Sequence, residues 1–113
     1  MRALNLTRNV VIAVETAVAG STLARMKGLL GKKGMAAGEA LLIKPCKGVH
    51  TVGMKFPIDV LFLDKENRVL SMRKNLRPNR ATAFYLKAAA VLELPAGTLQ
   101  NTGTEAGDEI SIG

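Results

Sequence analysis

Apolar and polar positions change period repeatedly along the chain, and most apolar segments are short. Residues 9–18 are rich in β-branched side chains and predict a strand. Gly20 then punctuates, and Ser21 or Thr22 suits the cap of a helix running to about Leu30. Within it Leu23, Met26, Leu29 and Leu30 recur at helical spacing, and Gly31 and Gly34 stop it. Residues 35–39 read as a turn, residues 40–44 as a short buried strand and residues 45–48 as a loop. Residues 49–54 read as extended, with His50, Val52 and Met54 facing one way. After Pro57, residues 58–63 predict an apolar strand centred on Val60, Leu61 and Phe62. Residues 64–67 predict a hairpin loop, because residues 68–73 resume extended patterning through Val69, Leu70 and Met72.

Residues 75–79, with Pro78, read as a loop. The apolar segment 85–94 is ambiguous over Ala88, Ala89 and Ala90, which favour helix, but residues 91–94 read as a strand ending at Pro95. A short helix is expected from about Pro95 to Gly103, and a last strand over residues 108–112. Strands outnumber helices and connections are short. The predicted fold is mostly β: a compact antiparallel sandwich or barrel with one or two short helices.

Composition narrows this picture. At 113 residues and 48% hydrophobic content, the chain has the size of one domain, residues 1–113, with no repeat or linker-like tract to divide it. One cysteine forms no internal disulfide, Glu15 interrupts the early apolar stretch, and no apolar run approaches the ~20 residues that span a bilayer. The expectation is a soluble cytoplasmic protein without a membrane segment. The net charge of +7 falls in two clusters: residues 1–38 carry six basic groups against Glu15 alone, densest around Arg25 to Lys33, and Arg68, Arg73, Lys74, Arg77 and Arg80 fall in an acid-free stretch. Such clusters attract anions, nucleic acid or acidic proteins, although they equally serve as a solubilising face. At 4% aromatics, a base-stacking platform is not expected from Phe56, Phe62, Phe84 and Tyr85.

Candidate chemistry gathers in residues 45–64, which hold the sole cysteine and the sole histidine. A pocket reading makes Cys46 a nucleophile, His50 a base and Asp59 its orienting partner. Arg25 and Arg77 would then bind an anionic group, and Glu93, an acid inside an apolar strand, would be a solvent-facing residue or a buried partner of Arg25 or His50. Against this stands a structural reading. In it Cys46 is a small buried hydrophobe, His50 and Thr51 are hydrogen-bonded framework, Met54 fills the core and Asp59 fixes a turn. Cys46, His50 and Met54 form a soft set suited to Cu(I), but the ligand count is too small for a structural zinc site, so no metal is assigned. No nucleotide or other cofactor signature is present. The candidate ligand-binding set is Arg25, Cys46, His50, Thr51, Met54, Asp59 and Glu93, taking an unidentified small molecule or anion. The alternative is a non-catalytic basic module that binds an acidic protein or nucleic acid.

Several ordered blocks carry a resemblance. They comprise Arg25, Gly28, Leu29 and Gly31; Gly38 and Glu39 before Leu41 and Leu42; Pro45 and Cys46; and His50, Thr51, Met54, Pro57, Ile58, Asp59, Val60 and Phe62. Asn75 to Pro78, Val91 to Thr98, and Gly107 and Asp108 follow. From about residue 10 onward the chain resembles the family catalogued as domain of unknown function one hundred and ninety-two. The resemblance implies a single-domain, mostly β, sandwich-type fold and no established activity.

Overall fold

A computed structural model describes residues 1–20 and 32–113. The helix expected after Ser21, with Arg25 in it, lies outside the described residues. Among the described residues, eight strands and one helix follow in the order β1 (Ala3–Asn5), β2 (Val10–Ala13), β3 (Glu15–Ala19), β4 (Glu39–Ile43), β5 (Ile58–Leu63), β6 (Val69–Leu76), β7 (Ala90–Pro95), α1 (Thr98–Thr102) and β8 (Ile110–Ile112). They build a three-stranded sheet, β2-β1-β8, and a five-stranded sheet, β3-β4-β7-β5-β6. The architecture is mostly β and sandwich-like rather than a closed barrel. One pairing departs from the antiparallel expectation: β3 runs parallel to β4, from Glu15 opposite Glu39 to Ala19 opposite Ile43.

The strand expected over residues 9–18 is two strands, because the chain leaves the small sheet and enters the large one at Val14. The Val14 and Glu15 N–H groups both donate to the Gly38 carbonyl, at 2.9 and 3.1 Å. Gly38 has φ +87°, which favours glycine, and a Cβ there would sit 2.9 Å from Val14 Cγ2 and force that exposed side chain to shift. Strand β1 was not foreseen, since three residues ending in a polar Asn5 carry too little pattern. Residues 49–54 are not a strand: His50 makes one isolated bridge to Ala81 and the chain turns at Gly53, φ 84°. Strand β6 runs on to Leu76, past the expected end at Arg73. The helix starts at Thr98 rather than Pro95, with Gly97 and Gly103 as its caps.

Alternation gives the large sheet two covered faces. Leu42, Leu61, Leu63, Leu92 and Leu94 pack with Ala3, Ile12, Ala13, Leu99 and Ile110, so the small sheet and α1 cover one side. On the other side Leu41, Ile43, Val60, Phe62 and Val91 pack against Val49, Met54, Phe56 and Ala88. A strand buried on both faces reads as a nearly continuous apolar run, and β5 is buried at every position, Asp59 included. The Phe62 and Tyr85 rings meet at 4.3 Å between centroids.

Candidate functional site

Residues 45–57 leave the end of β4 and cross the second apolar face of the sheet. Cys46 is half-buried against that core, and its Sγ donates to the Gly48 carbonyl at 3.2 Å. Gly48 is needed for a close approach, since a Cβ would lie 3.1 Å from both the Ala83 carbonyl oxygen and the Phe84 ring. The two segments are stitched by the Val49 N–H donating to Thr82 Oγ1 at 3.0 Å and the Thr82 N–H to the Val49 carbonyl at 2.9 Å. Between them opens a recess of about 260 Å³, lined by Ile43, Cys46, Gly48, Val49, His50, Ala81, Thr82 and Phe84. The structure thus brings Cys46 and His50 to one concavity. The Val52 N–H donates to His50 Nδ1 at 3.3 Å.

The other predicted residues go elsewhere. Thr51 is fully buried and binds the 77–80 turn: its hydroxyl donates to the Arg77 carbonyl and accepts from the Arg80 N–H, the latter at 3.0 Å. Its backbone adds an N–H bond to the Arg80 carbonyl at 2.8 Å and accepts from the Asn79 N–H at 3.0 Å. Met54 is buried in the second core beside Phe56 and Ile58. Glu93 is fully buried on β7, opposite Leu41 of β4 and Val60 of β5, so it shares the second apolar face with Val91. Arg25 lies outside the described residues.

Asp59 is on the opposite face, in register with Leu94. Its Oδ1 accepts from the Asn75 N–H at 2.8 Å, and its Oδ2 from the Gly97 and Leu99 N–H groups at 3.1 and 2.9 Å. It caps α1 from a distant strand and anchors β6. The geometry does not place it against His50, so a Cys-His-Asp relay is not assembled.

Sequence reasoning missed Gly48, Thr82 and Phe84. Phe84 is 71% exposed at the rim of the recess. No local pattern distinguishes a core phenylalanine from a rim one. A larger groove of about 750 Å³ runs past Lys44, Lys47, Asp64 and Lys87. Two of its polar residues are engaged, with Lys47 Nζ donating to the Leu86 and Ala88 carbonyls and Asp64 Oδ1 accepting from the Glu66 and Arg68 N–H groups. Among the described residues, no three His, Cys, Asp or Glu side chains gather as a metal-binding group. Nor is any helix long and apolar enough to cross a membrane.

Two solved structures share this fold. One, a protein of unknown function from Novosphingobium aromaticivorans, gives a TM-score of 0.84 at 19% identity over 99% of this chain and 84% of that one. The other, from Sinorhizobium meliloti and described as a "putative transcription regulator", gives 0.76 at 22% identity over 97% of this chain and 89% of that one. At such identities the likeness is one of fold. No curated protein matches the chain. The model of the family described as DUF192, uncharacterized ACR, matches residues 4–112, and the chain belongs to that family.

Proposed function

We propose that the chain is a small-molecule-binding domain, folded as one unit, whose ligand sits in the recess between residues 46–50 and 81–84. The observation that carries this reading is the meeting of the sole cysteine and sole histidine in one recess with Ile43, Val49 and Phe84. Ligand sites are concave and mostly apolar, with few converging polar groups, and span ~300–1,000 Å³ for drug-sized ligands. At about 260 Å³ the recess suits a smaller one. Binding fits better than catalysis. The Asp59 oxygens are committed to backbone amides on the other face, so Asp59 does not orient His50 as a base. A lone cysteine also fits a reducing compartment such as the cytoplasm.

Because Cys46 is the sole thiol, disulfide tethering tests the site directly. A panel of small disulfide-bearing fragments is equilibrated with the protein under partial reduction, and capture is read by mass spectrometry. The reading expects a few fragments captured well above the rest, with His50→Ala and Phe84→Ala erasing that selectivity. Uniform capture across the panel, or none, overturns it.

A further inference from the structure

We propose that a second recess, lined by Arg73, Asn75, Leu76, Arg77 and Arg80, binds an oxyanion of the phosphate class carried on a small molecule. This recess, of about 280 Å³, stands independently of the Cys46–His50 site. Three arginines and Asn75 line it together with Leu76, no acid lines it, and the Arg80 guanidinium also reaches the Asn79 carbonyl at 3.5 Å. Among the described residues, the ion pairs found involve Arg8 and none of these three arginines. Like charges brought together without a carboxylate repel one another, and an anion in the recess relieves that repulsion. Guanidinium is the matching group, since its planar fork meets phosphate oxygens in pairs.

The backbone beneath the arginines is built rather than loose. Strand β6 carries a bulge here: Val60 faces Arg73 and Ile58 faces Leu76, so Lys74 and Asn75 stand opposite Asp59 alone. Asn75 takes the left-handed conformation, φ 53°, and its N–H turns onto Asp59 Oδ1 at 2.8 Å. Bulges re-aim side chains, and an anchored residue in the left-handed region is a local cost that the surroundings must sustain. The far wall is set by buried Thr51, which holds the backbone at Arg77 and Arg80, while Asn79 Oδ1 accepts from the Gly53 N–H at 3.1 Å. Thr51 and Asp59 are therefore positioning residues for this recess.

A small phosphorylated ligand fits better than a nucleic acid strand. The volume corresponds to about nine waters at ~30 Å³ each, enough for a phosphoryl group and a short substituent. No aromatic side chain lines it to stack a base.

The test is an NMR titration of the ¹⁵N-labelled chain, following backbone amide and arginine Nε signals, at constant ionic strength. The probes are inorganic phosphate, glycerol 3-phosphate and a ten-nucleotide single-stranded RNA, with chloride as reference. Saturable shifts confined to Arg73, Asn75, Arg77 and Arg80 are expected with phosphate. Glycerol 3-phosphate should bind at least as tightly if an ester is the natural source, and more weakly if free phosphate is; either result supports the site. Arg73→Gln and Arg77→Gln should each weaken phosphate binding at least tenfold, against less than twofold for Lys32→Gln, which removes an exposed charge elsewhere. Both arginines are exposed, so the variants should keep the native spectrum, and either one alone decides the matter. Thr51→Val should weaken binding several-fold without touching the anion. Shifts that do not saturate, shifts spread over many lysines, indifference to both arginine variants, or RNA binding that phosphate does not displace would each overturn the proposal.

Discussion

Replacing Asp59 with alanine should remove the tie between β5, β6 and α1. The carboxylate is 1% exposed and accepts three backbone N–H groups, from Asn75, Gly97 and Leu99. Hydrogen bonds to a charged acceptor contribute ~1.5–3 kcal/mol each, but the three are not additive. The Asn75 and Gly97 bonds are only partly buried, so water can replace the carboxylate there, whereas the Leu99 N–H is buried and would be stranded. The expected loss for Asp59→Ala is therefore about 3–5 kcal/mol, a large share of the ~5–15 kcal/mol that holds a domain of this size together. Asp59→Asn keeps one oxygen and turns an NH₂ toward a donor, so it should lose about 1–3 kcal/mol. Urea unfolding followed by far-UV circular dichroism measures both, and it should rank alanine below asparagine below wild type. A loss under about 1 kcal/mol for the alanine variant would refute the structural assignment and return Asp59 to the list of ligand-facing groups.

Three further outcomes are expected. Gly48→Ala should push residues 82–84 away from the loop, because the Ala83 carbonyl oxygen would stand 3.1 Å from the new Cβ; amide shifts at Thr82 and Phe84 would report it, and an unchanged spectrum would contradict the tight approach. Phe62→Ala should lose about 3–5 kcal/mol in the same urea assay, since the ring is wholly buried and packed on Tyr85. Burial alone would push the Asp108 carboxyl up, but hydrogen bonds from Arg8, Asn5 and the Glu105 N–H, with the Arg8 charge, outweigh it and hold the group below the usual carboxylate range. Its stabilisation is then complete above the ordinary value of about 3.9 and is lost as pH falls below it, so the stability gap between wild type and Asp108→Asn should shrink between pH 5 and pH 2.

Local pattern carried the large sheet well. Residues 58–63 are apolar or backbone-committed at every step, and β5 occupies that span; the short helix and last strand also fall close to where Pro95, Gly103 and Gly107 place them. What depended on distant partners was not legible. Strand β1 exists because Asn5 pairs with Val10 on one side and Ile110 on the other, and no window of the sequence contains both. The candidate residues divide in the same way. Proximity in sequence suggested that Cys46, His50 and Asp59 act together, but one step along a strand reverses the face, and Val60 rather than Asp59 shares Glu93's side. Thr51 looked like a neighbour of His50 and is the support of a turn 26 residues away, through its bond to Arg77. The arginine cluster was visible as composition; its concavity needed the bulge at Asn75, which no composition reveals.

Val14, the single residue between β2 and β3, has a mechanical meaning. A connection that short stores no slack, so β3 cannot peel from β4 without dragging β2 across the first core. The sheets are bound to open together, which makes slow amide exchange in both follow one free energy rather than two. Among the described residues, the two recesses lie beside loops rather than between the sheets. Guests must be received where loops already stand open, and affinity then depends on how rigidly those loops were set before the guest arrived.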